Sequence, residues 1–217
     1  MTNSAAIRAY WDAAAPAFDD EPDHGLRQDR TREAWSTCHS SWLPPGPANV
    51  LDVGCGTGSL SLLPAGAGHR VTGVDLAPRM AEQARAKLAA AGLDGRFLVG
   101  DAAAPPTGDD MFDIVLSRHL VCTLSDPQSA LRQWVARLRP GGTLVLVEGR
   151  WREAGQSGVP YVAGADTLPW HRGIGADDLT AAVSPLVTHL RVEDLSGHAD
   201  LWGGTVTDER YALIAGA

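Results

Sequence analysis

The glycines of Val50-Leu51-Asp52-Val53-Gly54-Cys55-Gly56-Thr57-Gly58-Ser59 stand at alternate positions directly after an apolar run. Glycine turns sharply and lets the backbone approach a ligand with no Cβ in the way. A helix beginning just after such a turn aims its free N–H groups at that ligand. Asp75 lies 21 residues after Gly54, about the spacing at which a strand-end acid meets the hydroxyl pair of a ribose. An ionised carboxylate has acceptor oxygens and no donor, which suits a cis-diol. His119 closes a later apolar run, and an unperturbed histidine titrates near working pH, so it is the candidate general base. Arg118 beside it can orient an acidic substrate group. His24, in the acidic turn over residues 19–25, is a candidate substrate ligand, against the plainer reading of an exposed loop histidine.

Such residues need strands and helices in alternation, and the hydrophobic pattern supplies them. Residues 50–53 read as a buried strand and 59–63 as the start of a helix. Residues 70–76 are a second strand ending in Asp75. A helix over 78–91 has Pro78 in its first turn, a stripe of Met80, Ala84, Leu88 and Ala91, and Gly92 as its stop. A third strand and its end cover 97–102, and a fourth covers 113–119. A helix from Asp126-Pro127 carries Leu131, Trp134, Val135 and Leu138 and is closed by Arg139-Pro140-Gly141-Gly142. The continuous apolar run 143–148 is a fifth strand of the fully buried type. Residues 177–183 form a short helix, and 187–195 with 210–215 form an antiparallel pair at the sheet edge. This alternation predicts a mostly parallel sheet with helices on both faces. The carboxyl ends of its first and fourth strands meet at the switch point, where such folds bind ligands.

The flanks are less regular. Residues 1–43 read as amphipathic helix, with Ile7, Tyr10, Trp11, Ala14 and Phe18 at helical spacing, an interruption at 19–25 and a second helix over 26–42. Residues 149–176 form a glycine- and proline-rich stretch with Trp151, Tyr161, Trp170 and His171. A long loop of that kind is read as a substrate-side wall or flap.

The run D-V-G-C-G-T-G at Asp52 to Gly58 resembles the first motif of class I S-adenosylmethionine-dependent methyltransferases. The run L-R-P-G-G-T-L-V-L at Leu138 to Leu146 is similar to the turn before that family's fifth strand. The Tyr10-Trp11-Asp12 and Phe18-Asp19 pattern is similar to the lid segment of small-molecule members, although plain core packing of an amphipathic helix fits it as well. The resemblance implies an α/β, Rossmann-like, doubly wound seven-stranded sheet, mostly parallel with one antiparallel edge strand, under an N-terminal helical lid. It implies one domain over 1–217: lid and substrate segment 1–47, cofactor-binding core 48–148, and substrate-side loop with the last strands 149–217. S-adenosylmethionine is the implied cofactor and S-adenosylhomocysteine the product. The implied cofactor contacts are Tyr10, Asp52, Gly54, Cys55, Gly56, Gly58, Asp75, Leu76, Asp101, Ala102 and Ser117, with Asp101 and Ala102 at the adenine amine. On the substrate side the candidates are His24, Arg118, His119, Trp151 and Trp170. Transfer of the methyl to an O or N nucleophile of a small molecule, or to C or S, is the expected reaction.

Other classes fit less well. A formal charge of −8 over 217 residues argues against gripping nucleic acid. Ser59 stands where a nicotinamide fingerprint requires its third glycine, and no G-K-[ST] follows the turn. The widely spaced Cys38, Cys55 and Cys122 make neither a disulfide framework nor a C-x-x-C metal site, so no metal is expected. Neither a signal-peptide pattern nor a membrane-length apolar run is present, so a cytoplasmic monomer or homodimer is expected. A non-catalytic S-adenosylmethionine-binding regulator or partner subunit stays open, because fold alone does not exclude it. A protein methyltransferase is the rival within the family.

Overall fold

Val50 packs to one side of its strand, and Leu51 and Val53 pack to the other, and all three are fully buried. That alternation puts the strand at the centre of a sheet covered on both faces. The computed structural model describes residues 4–151 and 160–217. In chain order it has α1 Ser4–Phe18, α2 Pro22–Gly25, α3 Asp29–Trp42, β1 Asn49–Val53, α4 Ser59–Gly66, β2 Arg70–Asp75 and α5 Pro78–Ala90. There follow β3 Arg96–Val99, β4 Phe112–Arg118, α6 Pro127–Val135, β5 Leu138–Arg150, α7 Ala176–Val183, β6 His189–Asp194, α8 Ala199–Trp202 and β7 Glu209–Gly216. The strands form one sheet in the order β3-β2-β1-β4-β5-β7-β6. Strands β1 to β5 run parallel, and β7 runs antiparallel to both β5 and β6.

The predicted fold class is found. The antiparallel strand is the last in sequence and stands one place in from the edge, with β6 outside it. Two boundaries differ from the sequence reading. β3 stops at Val99, because Asp101 turns the chain by accepting the Ala103 N–H at 2.8 Å. α6 stops at Val135, and Leu138 already pairs with Phe112. The Arg139-Pro140-Gly141-Gly142 run is therefore an irregularity within β5, with the register shifting between Phe112 and Ile114 and Gly141 at φ +78°. The predicted substrate-side wall over 149–176 lies partly, at 152–159, outside the described residues.

The two faces fill differently. On one, Trp35 and Trp42 of α3 and Trp202 of α8 pack against Leu116, Val145 and Val147. Each indole N–H is used: Trp35 donates to the Leu201 carbonyl at 2.8 Å, Trp42 to Glu193 at 2.7 Å, and Trp202 to the Leu195 carbonyl at 2.9 Å. On the other face Trp134 of α6 packs on Leu144 and Leu146 and donates to the Ala102 carbonyl at 2.7 Å. Most of the tryptophans are thus core, where a buried indole needs a partner. α1 lies over α5, joined to it by a small cluster of Ala15, Ala77 and Met80 flanked by Trp11 and Phe18.

Gly58 shows how tightly the glycine turn sits on this scaffold. It has φ +79°, and a Cβ there would come within 2.7 Å of the Ala84 Cβ on α5. Gly58→Ala combines a left-handed penalty with overpacking and is expected to lower unfolding free energy by about 2–4 kcal/mol. Urea denaturation reads this, and a loss within 0.5 kcal/mol or so would show that α5 simply moves aside.

Candidate active site

The site is built at the carboxyl ends of β1, β2 and β4, where chain and sheet order bring their loops together. Past β1, the N–H groups of Gly54 and Cys55 both donate to the Val74 carbonyl, at 2.8 and 3.0 Å. Gly54 and Gly56 take φ +70° and +52°, which any side chain resists. A Cβ on Gly54 would strike Leu120 at 2.8 Å, and one on Gly56 would lie 3.4 Å from the Phe18 ring. The turn is therefore a cradle that larger residues would fill.

Asp75 ties this turn to the next. Its Oδ2 accepts the Gly56 N–H and its Oδ1 the Ala77 N–H, each at 2.9 Å. Burial pushes its carboxyl above the usual range, and the backbone donors of Ala77, Gly56 and Leu76 work against that rise. Asp52 lies beneath the turn, 2% exposed, and accepts from Ser61 Oγ of α4 at 2.6 Å. Burial lifts its carboxyl to about 6.

The N-terminal segment is fastened over the turn by charge. Asp19 accepts from Thr57 Oγ1 at 2.5 Å and pairs with Lys87 Nζ at 2.8 Å. Lys87 also donates to Thr57 Oγ1 and to Ser59 Oγ, at 3.1 and 2.5 Å. One ion pair thus joins the end of α1, the glycine turn and α5.

At the far end, His119 follows β4 with φ +54°, a conformation rare outside glycine. Its ring stacks on Trp202 (5.8 Å, 17°) and meets Trp151 edge-on at 4.5 Å. Its Nε2 is sealed from solvent and has no hydrogen-bond partner. Burial, then the charges of Arg118 and Arg210, hold its pKa well below the usual histidine value, so the imidazole is neutral at neutral pH. The next two N–H groups, of Leu120 and Val121, donate to Glu148 Oε1 at 3.0 and 3.2 Å. His24 stacks on Phe18 (4.3 Å, 13°) and is also held below its usual pKa, mainly by burial. Arg118 donates to the Asp23 carbonyl at 2.6 Å and lies 5.2 Å from the Trp35 ring centre.

A single cavity runs between the two ends. Of the sequence candidates, Asp52, Gly54, Cys55, Gly56, Asp75, Leu76, Asp101, Ala102, His24, Arg118 and His119 line it. Five others stand off it. Tyr10 is 39% exposed on the outer side of α1, against Tyr161, and Trp11 of the same helix lines the cavity instead. Gly58 faces Ala84, and Ser117 is wholly buried in β4. Trp151 sits behind His119 under the Arg210 guanidinium, and Trp170 packs on the core face that holds Trp134. Thr57, Met80 and Lys87 carry no site role at the level of sequence, whereas Trp11, Phe18 and Asp19 belong to the lid-like pattern and do reach the site. Ile7, Trp11 and Phe18 share one helical face by their spacing, and that phase was the available signal. Nothing local pairs Asp19 with Lys87.

Residues 51–146 match a family model described as a methyltransferase domain. The ubiquinone biosynthesis O-methyltransferase of Xanthomonas axonopodis pv. citri is 35% identical over 146 residues, 66% of this chain and 57% of that protein. The demethylmenaquinone methyltransferase of Thermus thermophilus is 40% identical over 108 residues, 49% of each chain. The chain spans about half the length of these curated relatives. Among solved structures, the N-methyltransferase NodS from Bradyrhizobium japonicum, in complex with S-adenosyl-L-homocysteine, superposes with a TM-score of 0.68 at 17% identity, covering 95% of this chain and 98% of that one. The 4+2 cyclase SpnF superposes with a TM-score of 0.68 at 23% identity, covering 85% and 80%. At these identities the two structures share the fold with this chain and nothing finer.

Proposed function

We propose that this chain, which carries a class I S-adenosylmethionine-dependent methyltransferase domain over residues 51–146, transfers a methyl group to an oxygen or nitrogen of a small molecule. The observation that carries the reading is the continuous cavity, with the motif residues Gly54, Gly56 and Asp75 at one end and Arg118, His119 and His24 at the other. The residues present fit the cofactor. Asp75 offers acceptor oxygens for the ribose diol, the cradle of Gly54 and Gly56 leaves room for the chain bearing the sulfonium, and Asp101 and Ala102, which line the same cavity, are assigned to the adenine amine in this reading. When bound, S-adenosylmethionine supplies an electrophilic methyl on a sulfonium, and S-adenosylhomocysteine is the product.

The chain's own part is alignment, exclusion of water and handling of one proton. Trp11 and Phe18 cover the glycine turn, and the Asp19–Lys87 pair holds that cover in place. Holding an acceptor in line with the methyl supplies much of the acceleration such reactions need. His119 presents a neutral imidazole at the substrate end and can take a proton from an acceptor hydroxyl or amine. Arg118 spends one donor on the Asp23 carbonyl, and its remaining N–H groups are available to an acidic substrate group. The net charge of −8 supports a small molecule over nucleic acid. Among the described residues no helix is long and apolar enough to cross a membrane. We place the protein in the cytoplasm as a monomer or homodimer.

The test is transfer of labelled methyl from S-adenosylmethionine into a metabolite extract of the source organism, with small molecules and macromolecules counted separately. Label in the small-molecule fraction is expected, and the O-methyltransferase relative makes O-methylated products the first to look for. Label in protein would transfer the reading to the protein-methylating rival. A cyclase shares this fold, so no label with cofactor binding intact would favour a domain that binds S-adenosylmethionine without transferring its methyl.

A further inference from the structure

The mechanism above uses one nitrogen of His119 and leaves Asp23 and His24 without a task. The three come from distant places in the sequence, Asp23 and His24 from α2 and His119 from the turn after β4, and the fold sets them together, with His24 and His119 lining the cavity and Asp23 beside them. Each offers a ligand-type atom within 4.8 Å of those of the other two, and His24 Nε2 lies 3.9 Å from Asp23 Oδ1. His119 keeps its buried Nε2 with no partner, while the buried Nδ1 of His24 has at most the Phe18 backbone to bond to. Buried polar atoms left bare are uncommon and mark a place for something the protein chain does not itself supply.

We propose that Asp23, His24 and His119 form a binding site for a divalent first-row transition metal, with substrate oxygens completing its coordination. Two imidazoles and one carboxylate on one side of an ion leave further positions open to a ligand. Metal–ligand bonds of about 2.0–2.2 Å span pairs up to roughly 4.2 Å apart, so small side-chain rotations close the set. The N₂O donor set suits zinc, cobalt, nickel or iron over magnesium or calcium, which take oxygens.

The three groups are held in advance. The Phe18 stack fixes the His24 ring, and Trp151 and Trp202 fix that of His119 on its unusual backbone. The Arg118 hydrogen bond fixes the Asp23 backbone. Arg118 opposes a cation by its charge. Asp23 and Asp52, both within its electrostatic reach, offset that opposition. The consequence for chemistry rests on the methyl-transfer reading and replaces His119 as base: a neutral imidazole has one lone pair, so with His119 as ligand the metal itself would bind an acceptor with oxygen donors and ease loss of its proton. The site itself rests only on the three residues.

The experiment is titration of the metal-free protein with Co²⁺ alone, followed by visible ligand-field absorption. One saturable equivalent per chain is expected. Affinity should fall by about 100-fold or more in His119→Gln and in Asp23→Asn, each checked for unchanged unfolding by urea. His24→Gln keeps the size of the ring position roughly and serves as the third variant if either of those is misfolded. Absence of a saturable band, or variants that bind Co²⁺ like the wild type, would overturn the proposal. Co²⁺ is read without cofactor or turnover, so the two readings fail separately. Silent Co²⁺ with label transfer intact sinks the metal site alone, and Co²⁺ binding without label transfer sinks the methyl-transfer reading alone.

Discussion

Asp75→Ala is expected to weaken S-adenosylmethionine binding by about 100-fold or more, measured by calorimetry, in a protein that still folds. The carboxylate sits at the end of β2 and lines the cavity, and both oxygens already order the site, one on the Gly56 N–H and one on the Ala77 N–H. A hydrogen bond to a charged acceptor contributes roughly 1.5–3 kcal/mol, and about 1.4 kcal/mol is a tenfold change in affinity. Losing both contacts to a diol therefore reaches about 100-fold before any loosening of the glycine turn is counted. Of the two N–H groups left behind, that of Gly56 lies at the cavity lining and that of Ala77 is fully buried, so the expected cost to stability is about 1–3 kcal/mol. Asp75→Asn keeps one acceptor oxygen and should fall between the two. Alanine binding the cofactor like the wild type would remove the diol from this end of the cavity. Weak binding accompanied by a collapsed urea midpoint would instead make Asp75 a structural tie between two turns.

The second large effect concerns stability and pH. Glu148, on β5 opposite Tyr211, is completely buried. Its Oε1 accepts the Leu120 and Val121 N–H groups, and its Oε2 has no partner. Burial raises its pKa from 4.5 to about 8, against the pull of those two donors. In the unfolded chain the group ionises near 4.5, so between that pH and about 8 the native state holds a proton that the unfolded state has lost. Stability from this group is therefore full below 4.5, declines as pH rises towards 8 and is flat above it. The shift corresponds to about 5 kcal/mol at most. Glu148→Gln keeps the accepting oxygen and has no proton to lose. Urea denaturation at a series of pH values should show the wild type losing stability relative to this variant across that window. Asp52, also raised by burial, titrates in both proteins and cancels in the difference. Parallel pH curves would mean that Glu148 is ionised throughout and that water reaches Oε2.

Glu148 also marks the limit of sequence reasoning. It is the one charge at the end of a continuous apolar run, which placed it on a strand and gave no hint that it holds the turn bearing His119. The same limit applies to the Asp19–Lys87 pair, which joins residues far apart in the chain. It applies again to Tyr10, since a helical stripe is read to within about one residue of phase, and the structure turns Trp11 inward in its place.

The sequence by itself determined the sheet, its mostly parallel order and the glycine turn with Asp75 at one end of the cavity. Those features are local: strands and helices announce themselves by periods of two and 3.6, and a glycine turn followed by an acid about one βα unit later is a pattern along the chain. Tertiary structure alone decided the arrangement at the His119 end. Which histidine meets which carboxylate, whether an imidazole is neutral, and what seals a ring nitrogen from solvent depend on separate elements meeting at the switch point. α2 reaches His119 only because α1 is fastened across the glycine turn and because β4 lies beside β1. Burial, created by that packing, then fixes their protonation.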